Sequence, residues 1–110
     1  MSIDDLIQLP ELTLLTPPTN PHQELHGLFA GDLLSHVMGH AHEGDVLITV
    51  LSNINVLGVA SLLDLSAVVF THNAEVSEAV LAKAKDLGIA LLRTKLPTVE
   101  TIKLLSKLGV

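Results

Sequence analysis

The chain has no cysteine, no tryptophan and no tyrosine, and only two of its 110 residues are phenylalanine. The absence of cysteine excludes a disulfide framework, thiolate catalysis and cysteine-ligated zinc or iron–sulfur sites, and it is typical of a cytoplasmic protein. The scarcity of aromatic rings leaves few surfaces on which a planar ligand or a nucleic-acid base could stack.

Basic residues are also scarce, with six Lys and Arg against twelve Asp and Glu and a formal net charge of −6. Nucleic acids and anionic membranes both bind proteins through basic patches, so we expect neither as a partner. No apolar run is long enough to span a bilayer, and no signal peptide is recognisable. The sequence therefore predicts a cytoplasmic protein with no nucleic-acid or membrane partner.

Aliphatic residues are abundant, and their clearest pattern covers residues 67–94. The apolar runs Ala67 to Phe70 and Ile89 to Leu92 are typical of strands buried on both faces of a parallel sheet. The segment between them has apolar residues at helical spacing, with Asn73 as the predicted N-cap and Gly88 as the predicted C-terminal residue of left-handed conformation. This pattern predicts a βαβ unit.

The rest of the chain extends this pattern to one small domain, residues 1–110. We predict further strands over Leu12 to Thr16, Leu25 to Ala30 and Val46 to Val50. We predict further helices after the capping pair Ser2 and Asp5, from the N-cap Asp32 to about His42, from Ser52-Asn53-Ile54-Asn55 to about Leu63, and from Pro97-Thr98 to Gly109. The predicted fold class is α/β, a mainly parallel sheet flanked by helices.

The expected buried sides of these helices follow from the same periodicity. Leu33 and Met38 belong to the buried stripe of the helix that starts near Asp32, and Val99 and Leu108 to that of the last helix. The helix from Val56 to Leu63 is apolar nearly all round, so we expect the sheet to bury one side and something else, such as a second copy, to bury the other.

Polar residues follow each predicted parallel strand, at the sheet edge where open α/β sheets bind ligands. We call this set the strand-end rim. Its members are Gly31, Asp32, Ser52, Asn53, Asn55, Thr71, His72, Asn73 and Thr94. Two interpretations stay open, because the same residue types bind ligands and also cap helices. His72 is the only titratable base of the rim, and no serine or carboxylate is tied to it by spacing, so we predict no catalytic residue.

A metal site is the other chemistry that the histidines allow. Asp32, His36, His40 and Glu43 fall at helical spacing on one polar face, so two imidazoles and two carboxylates could converge. However, Asp32 is expected to act as an N-cap, and spacing fixes no third ligand. A solvated helix face is the preferred interpretation, and we predict no metal and no cofactor.

Three segments together resemble the DRTGG domain family: GDLLSHVM (31–38), VLITVLSNINVLGVASLLD (46–64) and AVVFTHN (67–73). The resemblance covers the chain from about Leu25 onward. It implies a small α/β domain that occurs alone or attached to CBS pairs and phosphotransacetylases, and that is similar to the N-terminal domain of HPr kinase/phosphorylase. In this chain Ser52-Asn53 stand where the family commonly has Asp-Arg, and His72-Asn73 stand where it commonly has two glycines after Thr71.

The sequence lacks the G-x-x-x-x-G-K-[ST] loop, so the resemblance does not imply a kinase. We expect a non-catalytic regulatory or sensor domain, a homodimer that binds a small nucleotide or phosphorylated ligand at the strand-end rim. The alternative is a protein-docking or dimerisation subunit of a larger metabolic or redox complex, without a small-molecule ligand. Ligand-induced stabilisation of the free chain separates the two.

Overall fold

The computed structural model describes every residue from Met1 to Val110 and confirms the α/β class. Five strands form one sheet in the order β1-β5-β4-β3-β2. Neighbouring strands from β2 to β5 are parallel, and β1 pairs antiparallel with β5. The elements are α1 (Ile3–Ile7), β1 (Leu12–Thr16), β2 (Gly27–Ala30), α2 (Leu34–His40), β3 (Asp45–Thr49), α3 (Asn55–Leu63), β4 (Ala67–Phe70), α4 (Glu78–Leu87), β5 (Leu91–Thr94) and α5 (Thr98–Lys107).

Two layers of helices cover the sheet. Residues of α2, α3 and α4 pack with Val68, Phe70 and Leu91 on one face. Residues of α1 and α5 pack with Val69 and Leu92 on the other. Because side chains alternate across a strand, a strand covered on both faces needs apolar residues on both, which explains the apolar run Val46 to Ile48 within β3 and the wholly apolar β4.

The capping pair at the start of α1 is confirmed. The Asp5 backbone N–H donates to Ser2 Oγ at 3.3 Å, and the Ser2 backbone N–H donates to Asp5 Oδ2 at 2.9 Å. The backbone hydrogen bond from Ser2 is the main cause of a lowered pKa at Asp5, since it stabilises the charged carboxylate.

Two predicted N-caps are wrong. The fourth helix begins four residues later than Asn73 suggests, with Ser77 as its N-cap, and Ser77 Oγ accepts from the Val80 backbone N–H at 3.3 Å. Asp32 does not cap α2, whose N-cap position is Leu33 without a side-chain bond. Asp32 Oδ1 instead accepts from Thr49 Oγ1 at 2.8 Å. Asp32 therefore bonds to the end of a neighbouring strand and not to the nearest helix, and the Asn73 side chain makes no hydrogen bond to α4.

Several predicted buried positions are wrong as well. Leu33 is 66% exposed and Val99 is 60% exposed, and Met38 and Leu108 are exposed too. The buried side of each helix is therefore narrower than the predicted stripe. Its fully buried apolar residue is Val37 in α2 and Leu105 in α5. The expected burial of the inner side of α3 is confirmed at Val56, Leu57 and Ala60, and Leu62 on its outer side is 69% exposed in the single chain.

Candidate ligand site

The strand-end rim lies along one edge of the sheet. The residues after β2, β3, β4 and β5 all leave the sheet at this edge, because these four strands are parallel. β1 runs the other way, so Pro10 and Glu11, which precede it, lie at the same edge. All nine predicted rim residues therefore border this edge. Most of their side chains make hydrogen bonds within the protein, and these bonds determine which of them remain available to a ligand.

Several rim side chains connect one loop to the next. Asp32 Oδ1 accepts from Thr49 Oγ1 and also from the Val50 backbone N–H at 2.9 Å, which joins the loop after β2 to the end of β3. Ser52 Oγ donates to the Glu75 carbonyl at 2.6 Å, which joins the loop after β3 to the loop after β4. Asn53 Oδ1 accepts from the Asn55 backbone N–H at 3.0 Å. These bonds hold the rim in one arrangement before any ligand arrives.

The loops after β4 and β5 are connected most extensively. The His72 and Asn73 backbone N–H groups each donate to carbonyls of the loop after β5, those of Leu96 and Thr94, at 2.9 Å. His72 Nε2 accepts from the Thr98 backbone N–H at 3.1 Å, at the start of α5. His72 thus caps the start of α5 through its ring, and these backbone N–H groups are not available to an anion.

Thr71 completes this connection, since its hydroxyl lies 2.8 Å from that of Thr98. Thr71 is fully buried, and Thr94 is 2% exposed. The Thr94 hydroxyl accepts from the Leu96 backbone N–H at 3.2 Å. Both threonines therefore have internal partners.

His72 and Asn73 have positive φ angles of 57° and 53°. Two consecutive residues of left-handed conformation are strained for side chains with a Cβ and natural for glycine. The loop after β4 therefore adopts a conformation that suits glycine at both positions.

Replacing Asn73 tests this strain directly. Its side chain makes no hydrogen bond in the structure, so Asn73→Gly is expected to raise the free energy of unfolding by about 0.5 kcal/mol, and Asn73→Ala to lower it by about 1 kcal/mol. Urea denaturation of the three proteins measures both changes. A helix-capping role for Asn73 predicts the opposite sign for the glycine variant.

Two open clefts border the rim. The first, the Lys95 cleft, has a volume of about 400 Å³ and is lined by Pro10, Glu11, Thr13, Asn73, Arg93, Thr94, Lys95 and Leu96. The second, the Ser52 cleft, has a volume of about 470 Å³ and is lined by Ser52, Asn53, Glu75, Val76, Ser77 and Arg93. Four predicted rim residues line a cleft: Ser52, Asn53, Asn73 and Thr94. The other five, Gly31, Asp32, Asn55, Thr71 and His72, line neither.

Arg93 lines both clefts, and it is the one arginine of the chain. It is half-buried, and its guanidinium takes part in none of the ion pairs or side-chain hydrogen bonds of the structure. Arg93 is not among the predicted site residues, because the strand was predicted to end at Leu92, whereas β5 continues to Thr94. The available signal was a lone arginine directly after an apolar strand.

The connections of β4 and β5 explain why clefts form here. β4 is followed by α4, which packs on the face covered by α2 and α3, and β5 is followed by α5, which packs on the opposite face. Where neighbouring parallel strands send their connections to opposite faces, the loops separate and leave a crevice at the carboxyl ends of the strands.

The structure does not bring the four residues considered as metal ligands together. The His36 and His40 rings stack with their centroids 4.1 Å apart, and His40 Nδ1 donates to the His36 carbonyl at 2.9 Å. Asp32 is bonded to Thr49, away from this pair. No group of three or more His, Asp or Glu side chains is close enough to hold a metal ion.

None of the helices has the length and apolarity needed to cross a membrane.

Comparison with known proteins relates this geometry to a family. The DRTGG domain model matches residues 13–108. The fold is similar to the crystal structure of the CBS and DRTGG domains of the regulatory region of Clostridium perfringens pyrophosphatase, complexed with the activator diadenosine tetraphosphate. The TM-score is 0.76 and the identity 14% over 94% of this chain, which spans 45% of that solved chain. No curated protein sequence matches this chain.

Proposed function

The chain belongs to the DRTGG domain family, and from that membership and the two clefts we propose that it is a non-catalytic regulatory domain that binds a small phosphorylated ligand beside Arg93. The observation that carries this proposal is the half-buried, unpaired guanidinium shared by both clefts. Phosphate oxygens are the natural partners of such a group, because its planar donors match them in pairs.

The local charge favours an anion although the chain as a whole is acidic. The Lys95 cleft contains two cations, Arg93 and Lys95, against one carboxylate, that of Glu11. In the Ser52 cleft Arg93 is balanced by Glu75. We therefore place the phosphate in the Lys95 cleft and the uncharged remainder of the ligand against Asn73 or in the Ser52 cleft.

Arg93 also lies in the cleft that contains Ser52 and Asn53, the two positions at which this chain differs from the pattern common in the family. Where the family commonly has Asp-Arg, this chain has no cation, yet Arg93 of β5 lines the same cleft as Ser52 and Asn53. A cation next to these residues is thus supplied from a different strand. We propose that it performs the anion-pairing role that the sequence otherwise lacks.

A regulatory role is supported by the solved relative, whose DRTGG domain is part of the regulatory region of a pyrophosphatase that binds a nucleotide activator. The chain spans less than half of that solved region, so the likeness to the relative supports the class of function and leaves the ligand to experiment. The non-catalytic assignment is supported by the missing G-x-x-x-x-G-K-[ST] loop and by His72, whose Nε2 is occupied by the Thr98 backbone N–H.

Thermal unfolding against phosphorylated probes tests the proposal. The probes are inorganic pyrophosphate, ATP, diadenosine tetraphosphate and a cyclic dinucleotide, with adenosine as the control that lacks phosphate. A ligand at about 100 times its Kd adds about 2.7 kcal/mol, which raises the midpoint by several degrees. We expect at least one phosphorylated probe to do so and adenosine not to. No shift with any of them would contradict the proposal.

The alternative function, a docking or dimerisation subunit, is favoured by a different observation. The outer side of α3 carries exposed apolar residues, Ile54 at 49% and Leu62 at 69%. A docking subunit would show no ligand-induced stabilisation, and its midpoint would rise with protein concentration.

A further inference from the structure

The Ser52 cleft contains two opposite charges that do not pair. Glu75 and Arg93 both line this cleft. The two ion pairs of the structure involve other residues, so the carboxylate of Glu75 and the guanidinium of Arg93 border the same space without direct contact. A ligand that lies between them must offer a hydrogen-bond donor to the first and an acceptor to the second.

The backbone of Glu75 is fixed, whereas its side chain is free. Ser52 Oγ donates to the Glu75 carbonyl at 2.6 Å, which holds this residue against the loop after β3. The side chain is exposed, and its carboxylate accepts no hydrogen bond from the protein. Because a carboxylate has two acceptor oxygens, it fits a pair of neighbouring hydroxyl groups on a ligand.

Two further side chains of this cleft retain unused donors. Asn53 uses its Oδ1 to accept from the Asn55 backbone N–H, and its side-chain NH2 group has no partner. Ser77 Oγ accepts from the Val80 backbone N–H, so its hydroxyl proton remains available. Donors therefore line the same cleft as the acceptor Glu75. A hydroxyl group suits such a site because it donates and accepts, whereas an ammonium group only donates.

Neither cleft provides an aromatic ring on which a nucleobase could stack. The two phenylalanines of the chain are Phe29 of β2 and Phe70 of β4, and neither lines a cleft. Val76 is the one hydrophobic residue around the Ser52 cleft. Because an unpaired base gains much of its binding energy from stacking, this cleft favours a polyhydroxyl group over a base.

We propose that the ligand is a sugar phosphate, with its phosphate on Arg93 and Lys95 and two neighbouring hydroxyls that donate to Glu75. The proposal rests on the proposed function, because it uses the same phosphate position. Arg93 lines both clefts, so a phosphate bound to it places the attached sugar at the Ser52 cleft. Glu75 then determines specificity, since its charge repels a bare phosphate and only a hydroxylated ligand gains hydrogen bonds that offset the repulsion.

Titrations of the ¹⁵N-labelled chain with ribose 5-phosphate, 2-deoxyribose 5-phosphate, inorganic phosphate and AMP test the proposal, with each Kd obtained from the chemical-shift changes. We expect ribose 5-phosphate to bind about 10-fold more tightly than the 2-deoxy sugar phosphate or inorganic phosphate, because a site that pairs with a hydroxyl discriminates against a ligand without it. AMP is expected to bind about as tightly as ribose 5-phosphate, since its base has no ring on which to stack.

Glu75→Gln separates hydrogen bonding from charge. The variant is expected to bind ribose 5-phosphate about 10-fold more weakly, since a neutral amide is a poorer acceptor, and inorganic phosphate slightly more tightly, since a repelling charge is removed. Glu78→Gln is the matched control: it removes the same charge at an exposed residue in the first turn of α4 that lines neither cleft. It should change both affinities little and in the same direction. Both residues are exposed, so both variants should fold, and their amide spectra verify this.

Three results would overturn the sugar phosphate and leave a phosphate site at Arg93 standing. They are equal binding of ribose 5-phosphate and its 2-deoxy analogue, binding of AMP that is tighter by about 10-fold or more, as a stacked base would produce, and a parallel change of both affinities in Glu75→Gln. If ribose 5-phosphate does not bind while pyrophosphate or ATP stabilises the chain, the sugar is likewise excluded. If no phosphorylated compound binds, the sugar phosphate and the proposed function are both wrong.

Discussion

Arg93→Gln is expected to weaken the binding of a phosphorylated ligand by about 10- to 150-fold, the equivalent of about 1.5 to 3 kcal/mol for a hydrogen bond to a charged group. The reason is that Arg93 is the one cation that both clefts share. Isothermal titration calorimetry with whichever probe stabilises the chain measures the loss. Since the guanidinium has no partner within the protein, the unfolding midpoint of the free variant should change little.

Two further variants test whether the affinity for the ligand depends on the guanidinium of Arg93 or only on the positive charge of the chain. Arg93→Lys keeps the charge but loses the planar pair of donors, so it should recover only part of the affinity. Lys85→Gln removes a cation at the far end of α4 and should bind like the wild type, apart from a small long-range effect. Unchanged binding in Arg93→Gln would show that the ligand lies elsewhere on the protein.

Thr16→Val is expected to lower the free energy of unfolding by about 2 to 4 kcal/mol, with a midpoint about 10 to 20 °C lower. Thr16 is fully buried. Its Oγ1 donates to the Ile89 carbonyl at 2.7 Å and accepts from the Leu91 backbone N–H at 3.0 Å. The pairing of β1 with β5 is irregular between Leu14 and Thr16, and the hydroxyl satisfies backbone groups at this irregularity.

Valine has nearly the same shape as threonine but leaves the Ile89 carbonyl and the Leu91 N–H buried without a partner. The free energy of unfolding therefore falls by more than the loss of a solvent-exposed hydrogen bond would cause. Thr13→Val on the same strand is the control, because Thr13 is exposed and should change stability by less than about 0.5 kcal/mol. Urea denaturation measures both. Equal, small losses in the two variants would mean that water or a shifted backbone replaces the Thr16 hydroxyl.

The strands and the fold class could be predicted from the sequence because their signal is local. The run Ala67 to Phe70 is a strand with these same bounds, since a strand buried on both faces needs an apolar residue at every position. The antiparallel direction of β1 was not predicted. It depends on pairing with β5, about eighty residues away, for which neither segment carries a local signal.

Helix starts and buried stripes were less predictable. Ser, Asp and Asn can bond to a helix or to a loop with similar energy, so the sequence does not decide between Asn73 and Ser77 as the cap of α4. Similarly, α2 begins only at Leu34, so Leu33 lies outside the helix in extended backbone, and Met38 lies about 100° around the helix from the buried Val37.

The position of the candidate site could be predicted, but its most important residue could not. The rule for strand carboxyl ends places polar residues at the correct edge. It does not reveal that Thr71, His72 and Asp32 bond to the protein itself. Nor does it reveal Arg93, which becomes visible only when β5 is seen to run to Thr94 and to place the guanidinium between two clefts.

The most direct test of the central claim is a titration of the ¹⁵N-labelled chain with the stabilising probe, followed by ¹H–¹⁵N correlation spectra. We expect the largest chemical-shift changes at the Arg93 side chain and at backbone amides around the two clefts, those of Asn53, Asn73 and Lys95. Adenosine should leave these signals in place. Chemical-shift changes confined to the outer sides of α2 and α3 or to the opposite edge of the sheet, or no changes with any phosphorylated probe, would contradict ligand binding beside Arg93.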